Sequence, residues 1–166
     1  MTGILRQWWL AALLLTLAGG GCATSSLPQK QTDGPYDPVA DAERSFPAVL
    51  SRAQREQKRV LLNLGANWCS DSRAMSHLLL EDASIRHEIA SHFIYALVDV
   101  NLREGPPRNE ALVQRFGRPL GRGIPVLLVL DANGNLLNTD PAERLSDDAH
   151  KRPGEVLAYL QKWAND

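Results

Sequence analysis

Three short apolar runs, each bounded by glycine, proline or polar residues, predict the strands of a sheet. They cover residues 59–64, 93–100 and 125–130. Runs this short and this continuously apolar are typical of interior strands covered on both faces. Pro125 marks the first residue of the third strand, because proline cannot donate a hydrogen bond inside a central strand. The Asn-Gly pair within 131–135 predicts a hairpin turn, with a fourth strand beginning at Leu136.

Between these runs, apolar residues recur at helical spacing. A helix over 41–58 is predicted from the stripe Phe46, Val49, Leu50 and Ala53, with Ser45 as its cap and Pro47 in its first turn. Further helices are expected directly after Cys69, over 85–92, over 109–116 and from Pro153 onward. This order predicts an α/β fold with a mixed, four-stranded sheet flanked by helices in a single domain.

The N-terminus has the pattern of an export signal. Arg6 supplies positive charge, about ten apolar residues follow at 8–17, and small residues lead to Cys22. That run is too short to cross a bilayer of roughly 30 Å as a helix, so cleavage is expected. The Ala-Gly-Gly-Gly-Cys ending resembles a bacterial lipoprotein signal, which implies lipidation of Cys22. Such signals usually have Leu where this chain has Gly19, so ordinary cleavage after Ala23 is the alternative.

These features divide the chain into a signal peptide at 1–22, a flexible linker at 23–40 and one domain at 41–166. The linker is rich in Ser, Thr, Gln, Lys, Asp, Gly and Pro, a composition with nothing to pack. The expected location is the periplasm or cell envelope, with a membrane anchor through the N-terminal lipid. In a Gram-negative cell, Ala23 after the cysteine resembles the outer-membrane sorting pattern.

Charge and composition exclude several classes of function. The net charge of −1 and the lack of a basic patch argue against a nucleic-acid partner. The four histidines have no ligand spacing with cysteine or carboxylate, so neither a metal nor another cofactor is predicted. Once Cys22 is acylated or cut away, Cys69 is the one remaining thiol. A lone thiol in an exported protein is a reactive group or an intermolecular partner.

The position of Cys69 favours reactivity. It follows a buried strand and a Gly-Ala-Asn-Trp loop, and it stands where the next helix begins. Unpaired backbone N–H groups and the positive end of the helix dipole favour a thiolate over a thiol there. Three residues later the chain has Ser72.

The Trp-Cys-x-x-Ser element, with Ile124-Pro125 some 55 residues after Cys69, resembles the thioredoxin-like family and in particular its exported members. The similarity covers roughly 46–163. It implies that Pro125 is a cis-proline beside the reactive sulfur, that the Ile124 backbone pairs with an extended substrate, and that Trp68 lies over the sulfur. The alternatives are an ordinary trans-proline and a tryptophan that only caps the core.

The chain departs from the thioredoxin pattern at three positions. Asn63 replaces a buried aspartate, Asp71 replaces the usual proline, and Ser72 replaces the second cysteine. With no second thiol to deprotonate, no buried base is required. Ser72 could donate a hydrogen bond to the Cys69 thiolate, whereas an ionised Asp71 would oppose the thiolate by like charge.

Three functions are compatible with one thiol. The first is isomerase-like or deglutathionylating exchange, in which Cys69 forms mixed disulfides with client proteins or small thiols. The second is a non-catalytic module that binds peptide around Trp68 and Pro125. The third is a dimer linked through Cys69. We expect the first.

Overall fold

The computed structural model describes residues 34–101, 103 and 105–165. The predicted signal peptide with Cys22 and most of the predicted linker lie outside the described residues. In the part of the chain that is described, no helix combines the length and the apolar character needed to cross a membrane.

Helices and strands alternate along the described chain. In order they are α1 (Ala42–Glu56), β1 (Arg59–Gly65), α2 (Ser70–Glu81), α3 (Ala83–His92), β2 (Phe93–Asp99), α4 (Glu110–Arg115), β3 (Val126–Leu130) and α5 (Pro153–Asn165). Short 3₁₀ turns lie at Pro119–Arg122, Pro141–Glu143 and Asp147–Lys151.

The sheet is mixed, with strand order β2-β1-β3. Strand β1 pairs in parallel with β2, from Arg59 opposite Phe93 onward, and antiparallel with β3, where Val60 lies opposite Leu130. Every residue of β1 after Arg59 is buried, which explains why the strand is apolar there except at Asn63. The predicted α/β architecture is confirmed, but the sheet among the described residues has three strands and the prediction of four is wrong.

A side chain takes the place of the fourth strand. After the turn at 131–135, the backbone forms one isolated bridge to β3, between Leu130 and Leu136. The buried Asn138 then pairs with the same edge: its Oδ1 accepts from the Val129 N–H at 2.9 Å, and its Nδ2 donates to the Leu127 carbonyl at 2.8 Å. The amide satisfies edge groups that a fourth strand would otherwise have paired.

The N-cap of helix α1 lies earlier in the chain than predicted. Asp41, and not Ser45, is its N-cap, and the Asp41 side chain accepts a hydrogen bond from the Arg44 N–H at 2.9 Å. Pro47 therefore lies beyond the first turn, inside the helix.

Two apolar layers cover the faces of the sheet. Helices α1 and α4 pack on one face, against Val60, Leu62 and Leu64 of β1. Helices α2, α3 and α5 pack on the other, against Leu61. This alternation turns Asn63 toward the layer that contains α2, the helix that carries Cys69 at its start.

Candidate active site

Cys69 is positioned by the end of β1 and the beginning of α2. It is the N-cap residue of α2, with extended backbone angles. Its N–H donates to the Ala66 carbonyl and its own carbonyl accepts from the Arg73 N–H, each at 3.1 Å. The side chain is half-buried and its thiol is free. The sulfur is therefore held at the positive end of a helix while remaining reachable.

The structure brings Ile124 and Pro125 to this sulfur. The Cys69 Sγ donates to the Ile124 carbonyl oxygen at 3.4 Å, and the Ile124–Pro125 bond is cis. The cis bond agrees with the resemblance and excludes the trans alternative. The sulfur contact therefore joins the start of α2 to the residue that precedes Pro125.

Trp68 lies beside Cys69 in the loop and is half-buried. It packs against the core layer formed with α1 and α4, and its indole Nε1 is buried without a hydrogen-bond partner in the described part. The Arg103 guanidinium lies 4.5 Å from its ring centroid. Trp68 thus contributes to the core, in agreement with the alternative of a tryptophan that caps the core. Its placement over the sulfur stays a prediction.

Ser72 does not make the predicted hydrogen bond to Cys69. It is fully buried, and its hydroxyl has no hydrogen-bond partner among the described residues. The side chain points toward the end of β1 instead: a Cβ built on Gly65 would lie 2.9 Å from the Ser72 Oγ. That prediction is wrong, because the turn of α2 directs the side chain inward.

Tyr36 lies directly under this part of the site, and the sequence interpretation missed it. It falls within the segment predicted to have nothing to pack, yet it is 0% exposed, so that prediction is wrong for Tyr36. Its hydroxyl donates to Asn63 Oδ1 at 3.0 Å and also approaches the Ser72 carbonyl oxygen at 3.3 Å. The sequence signal that could have indicated this burial was a single aromatic residue between Gly-Pro and Asp-Pro.

Asn63 is satisfied by two tyrosines. Besides accepting from Tyr36, it donates through Nδ2 to the Tyr95 hydroxyl at 2.9 Å. Burial raises the pKa of both tyrosines, so both hydroxyls stay protonated near neutral pH. Where thioredoxin places an ionisable group, this chain therefore has a neutral hydrogen-bonded cluster.

Asn67 fixes the segment that carries Tyr36. The Tyr36 N–H donates to Asn67 Oδ1 at 2.9 Å, and Asn67 Nδ2 donates to the Tyr36 carbonyl at 2.7 Å. Gly65 completes the fit, because a Cβ there would lie only 2.3 Å from the Tyr36 hydroxyl oxygen. Two residues of the Gly-Ala-Asn-Trp-Cys loop thus hold the N-terminal segment against the site.

Asp71, in the first turn of α2, faces a histidine from the far end of the chain. The His150 Nε2 lies 3.7 Å from Asp71 Oδ1, and the His150 side chain is largely buried. Protonated His150 would offset the Asp71 charge that opposes a Cys69 thiolate. Nowhere in the described residues do three His, Cys, Asp or Glu side chains gather as a metal site would require.

Comparisons with known proteins agree with this geometry. A family model described as thioredoxin-like matches residues 41–132, more than half of the chain. The crystal structure of a disulphide isomerase from Xylella fastidiosa Temecula1 is 32% identical, with a TM-score of 0.68 over 78% of this chain and 95% of that one. A thioredoxin from Thermus thermophilus, at 23% identity and a TM-score of 0.53 over 70% of this chain and 82% of that one, shares the fold.

Two curated relatives are longer proteins. The thiol:disulfide interchange protein DsbD of Tatumella citrea is 27% identical over 161 residues, which are 93% of this chain and 25% of the relative. Its counterpart from Actinobacillus pleuropneumoniae serotype 5b is 22% identical over 142 residues, which are 81% of this chain and 23% of the relative. The chain thus spans about a quarter of the length of these relatives.

Proposed function

The chain belongs to the thioredoxin-like family, and from that premise we propose that it is a cell-envelope thiol–disulfide exchange protein that works through one sulfur, Cys69. The observation that carries this proposal is the placement of the Cys69 Sγ. It stands at the start of α2 and 3.4 Å from the carbonyl oxygen that precedes the cis-proline. The names of the relatives, an isomerase and two interchange proteins, support exchange as the class of reaction.

The chemistry follows from having one thiol. The Cys69 thiolate attacks one sulfur of a client disulfide, a new S–S bond forms, and the other client sulfur leaves as a thiolate. A second thiol, from the client or from a small molecule such as glutathione, then attacks the mixed disulfide and releases Cys69. Because position 72 is serine, no cysteine there can perform this release within the chain. The cycle exchanges disulfides and leaves no net oxidation on the protein.

The neighbouring residues have supporting roles in this proposal. The Ile124 backbone pairs with an extended client segment, and Pro125 shapes the surface beside the sulfur. Trp68 offers an apolar platform next to it. When a client segment engages Ile124, its carbonyl no longer accepts from the sulfur, and the helix start then favours the thiolate.

The proposal also places the protein at the membrane. An exported chain lipidated on Cys22 would be held at the envelope while its domain meets client proteins. Fractionation tests this part: wild-type protein is expected with membranes and Cys22→Ser in the soluble fraction, whereas an identical distribution of the two would contradict anchoring.

The exchange activity is tested with Cys69 as the single thiol, in Cys22→Ser protein. We expect iodoacetamide to alkylate Cys69 at pH 7 faster in the folded chain than in the same chain unfolded by urea, because folding places the sulfur at a helix start. The folded chain should also form mixed disulfides with glutathione disulfide, and Cys69→Ala provides the control. Slower alkylation on folding together with no mixed disulfide would refute exchange.

The same materials distinguish the two other functions. A binding module predicts that Cys69→Ala still captures the partners of the wild-type protein. A disulfide-linked dimer predicts a dimer band on a non-reducing gel of envelope extracts. Exchange predicts mixed disulfides that Cys69→Ala loses and that accumulate without any trapping mutation.

A further inference from the structure

A groove of about 720 Å³ opens beside the proposed site. It lies between the 3₁₀ turn Pro119–Arg122, the start of β3 and the segment 139–147. Its apolar lining includes Phe116, Pro125, Val126, Leu136 and Leu145. Its volume is in the range of sites that bind ligands, and its apolar lining is typical of them.

The groove begins at the residues that flank the sulfur contact. Gly123 and Pro125 both line it, and between them Ile124 contacts the Cys69 sulfur through its carbonyl oxygen. A molecule joined to Cys69 by a disulfide therefore has this groove as an adjacent surface. The groove is placed to contact the residues next to the partner's cysteine.

The charge of the groove is positive. Arg118, Arg122 and Arg144 line it, and Asp147 is the one acidic residue among its lining. We call it the arginine groove. The surplus of positive charge favours a partner that carries carboxylates, because complementary charge steers association.

None of the three arginines is tightly neutralised in the described part of the chain. Arg122 is exposed and has no acidic partner there. Arg144 donates to two backbone carbonyl oxygens, those of Asn138 at 3.3 Å and Thr139 at 3.4 Å, which leaves its charge uncompensated. Arg118 pairs with Glu110 at 3.5 Å, but both side chains are largely exposed, so this pair is weak.

We propose that the arginine groove binds an extended acidic segment next to the cysteine of the client protein. This inference rests on the proposed exchange function and adds a substrate class to it. The apolar lining would hold the segment's carbon atoms, and the arginines would hold its carboxylates. An extended peptide is favoured over a small anion because the groove of about 720 Å³ combines an apolar lining with arginines from two separate segments, 118–122 and 139–147.

The experiment uses two cysteine peptides that differ only in Glu against Gln at the flanking positions, each activated as a 2-thiopyridyl disulfide. The Cys69 thiolate attacks the peptide sulfur, the mixed disulfide forms, and pyridine-2-thione leaves and is measured by absorbance. Each rate in folded Cys22→Ser protein is divided by the rate with the same chain unfolded in urea. This division removes the intrinsic reactivity of each peptide.

We expect the acidic peptide to react about fivefold faster than the neutral one at low salt, and the preference to shrink as salt rises. Arg122→Gln should reduce the acidic rate by about two- to fivefold more than the neutral rate, as for an exposed charge pair. The matched control is Arg86→Gln, which removes the same charge from an exposed position on α3 away from the groove.

The outcomes separate this inference from the exchange function. Equal rates for the two peptides, or equal losses in Arg122→Gln and Arg86→Gln, would overturn the acidic preference while exchange stands. No reaction with either peptide would overturn both. Arg144→Gln is the second variant; if its fold is unchanged by circular dichroism, it must also lower the acidic rate more than the neutral rate.

Discussion

Gly65→Ala is expected to expel Tyr36 from its site under Cys69. A Cβ on Gly65 would lie 2.3 Å from the Tyr36 hydroxyl oxygen and 2.4 Å from its Cζ. Both atoms belong to a residue that is 0% exposed, so they cannot rotate away within the folded core. Gly65 is also the last residue of the central strand β1 and is paired with Asp99 of β2, so this end of the strand cannot move without breaking ladder bonds. The added methyl group therefore competes with Tyr36 for the same space.

The cost follows from what Tyr36 contributes. Removing a buried aromatic side chain destabilises a protein by about 3–5 kcal/mol. The loss also leaves Asn63 Oδ1 buried without the Tyr36 donor, which contributes about 1–3 kcal/mol and is part of that total. We expect Gly65→Ala to lower the free energy of unfolding by about 3–4 kcal/mol. In the Tyr36→Ala background the same change should cost under about 1 kcal/mol, because the Ser72 hydroxyl, 2.9 Å away and able to rotate, is then the nearest atom to the new Cβ.

A double-mutant cycle measured by urea denaturation tests this reasoning. The expected coupling between the two changes is about 2–3 kcal/mol, or a difference of about 1–1.5 M in urea midpoint at an m-value of about 2 kcal/mol/M. Gly154→Ala is the control glycine, since a Cβ there meets nothing within 4 Å. Additivity within about 0.5 kcal/mol would refute the placement of Tyr36 against Gly65.

Two further predictions concern buried polar groups. Asn138→Ala should lower the free energy of unfolding by about 2–4 kcal/mol, because the buried Val129 N–H loses its partner and the Leu127 carbonyl keeps only a 3.5 Å contact with Tyr159. Urea denaturation measures this loss, and the control is Asn133→Ala at an exposed position, expected to lie within about 0.5 kcal/mol of the wild type. Equal urea midpoints for the two variants would contradict the edge pairing. Burial raises the pKa of Tyr36 above its value in the unfolded chain. Above about pH 10 the unfolded chain therefore loses this proton while the folded chain keeps it. As a result, the free energy of unfolding falls as pH rises. In Tyr36→Phe that alkaline decline should be less steep by up to about 1.4 kcal/mol per pH unit, and unchanged slopes would show that Tyr36 is not buried.

The sequence predicted the parts of the site that local pattern determines. Continuous apolar runs located β1, β2 and β3 to within a residue or two at each end, and the Trp-Cys motif placed Cys69 at a helix start. The Ile124-Pro125 pair predicted the cis bond because this pair, together with the Trp-Cys motif, resembles a family in which that bond is cis. In each case the deciding information lies within a few consecutive residues.

The errors concern contacts across long sequence distances. Nothing near Tyr36 shows that its hydroxyl meets Asn63, 27 residues later. The Asn-Gly turn favoured a fourth strand. Whether the Asn138 amide or a strand backbone pairs with β3 depends on tertiary packing. The direction of the Ser72 hydroxyl likewise depends on how α2 is rotated against the sheet.

The burial of Tyr36 decides where the chain can be cut. Both the family match and the predicted domain begin at residue 41, after Tyr36. A chain trimmed there would lose an entire aromatic side chain from beneath Cys69, and it would leave Asn63 Oδ1 and both polar atoms of the Asn67 amide without the Tyr36 groups that they bind. The shortest piece that keeps the site as described must therefore retain the segment from Gly34 onward, and reactivity measured on a shorter piece would describe a different site.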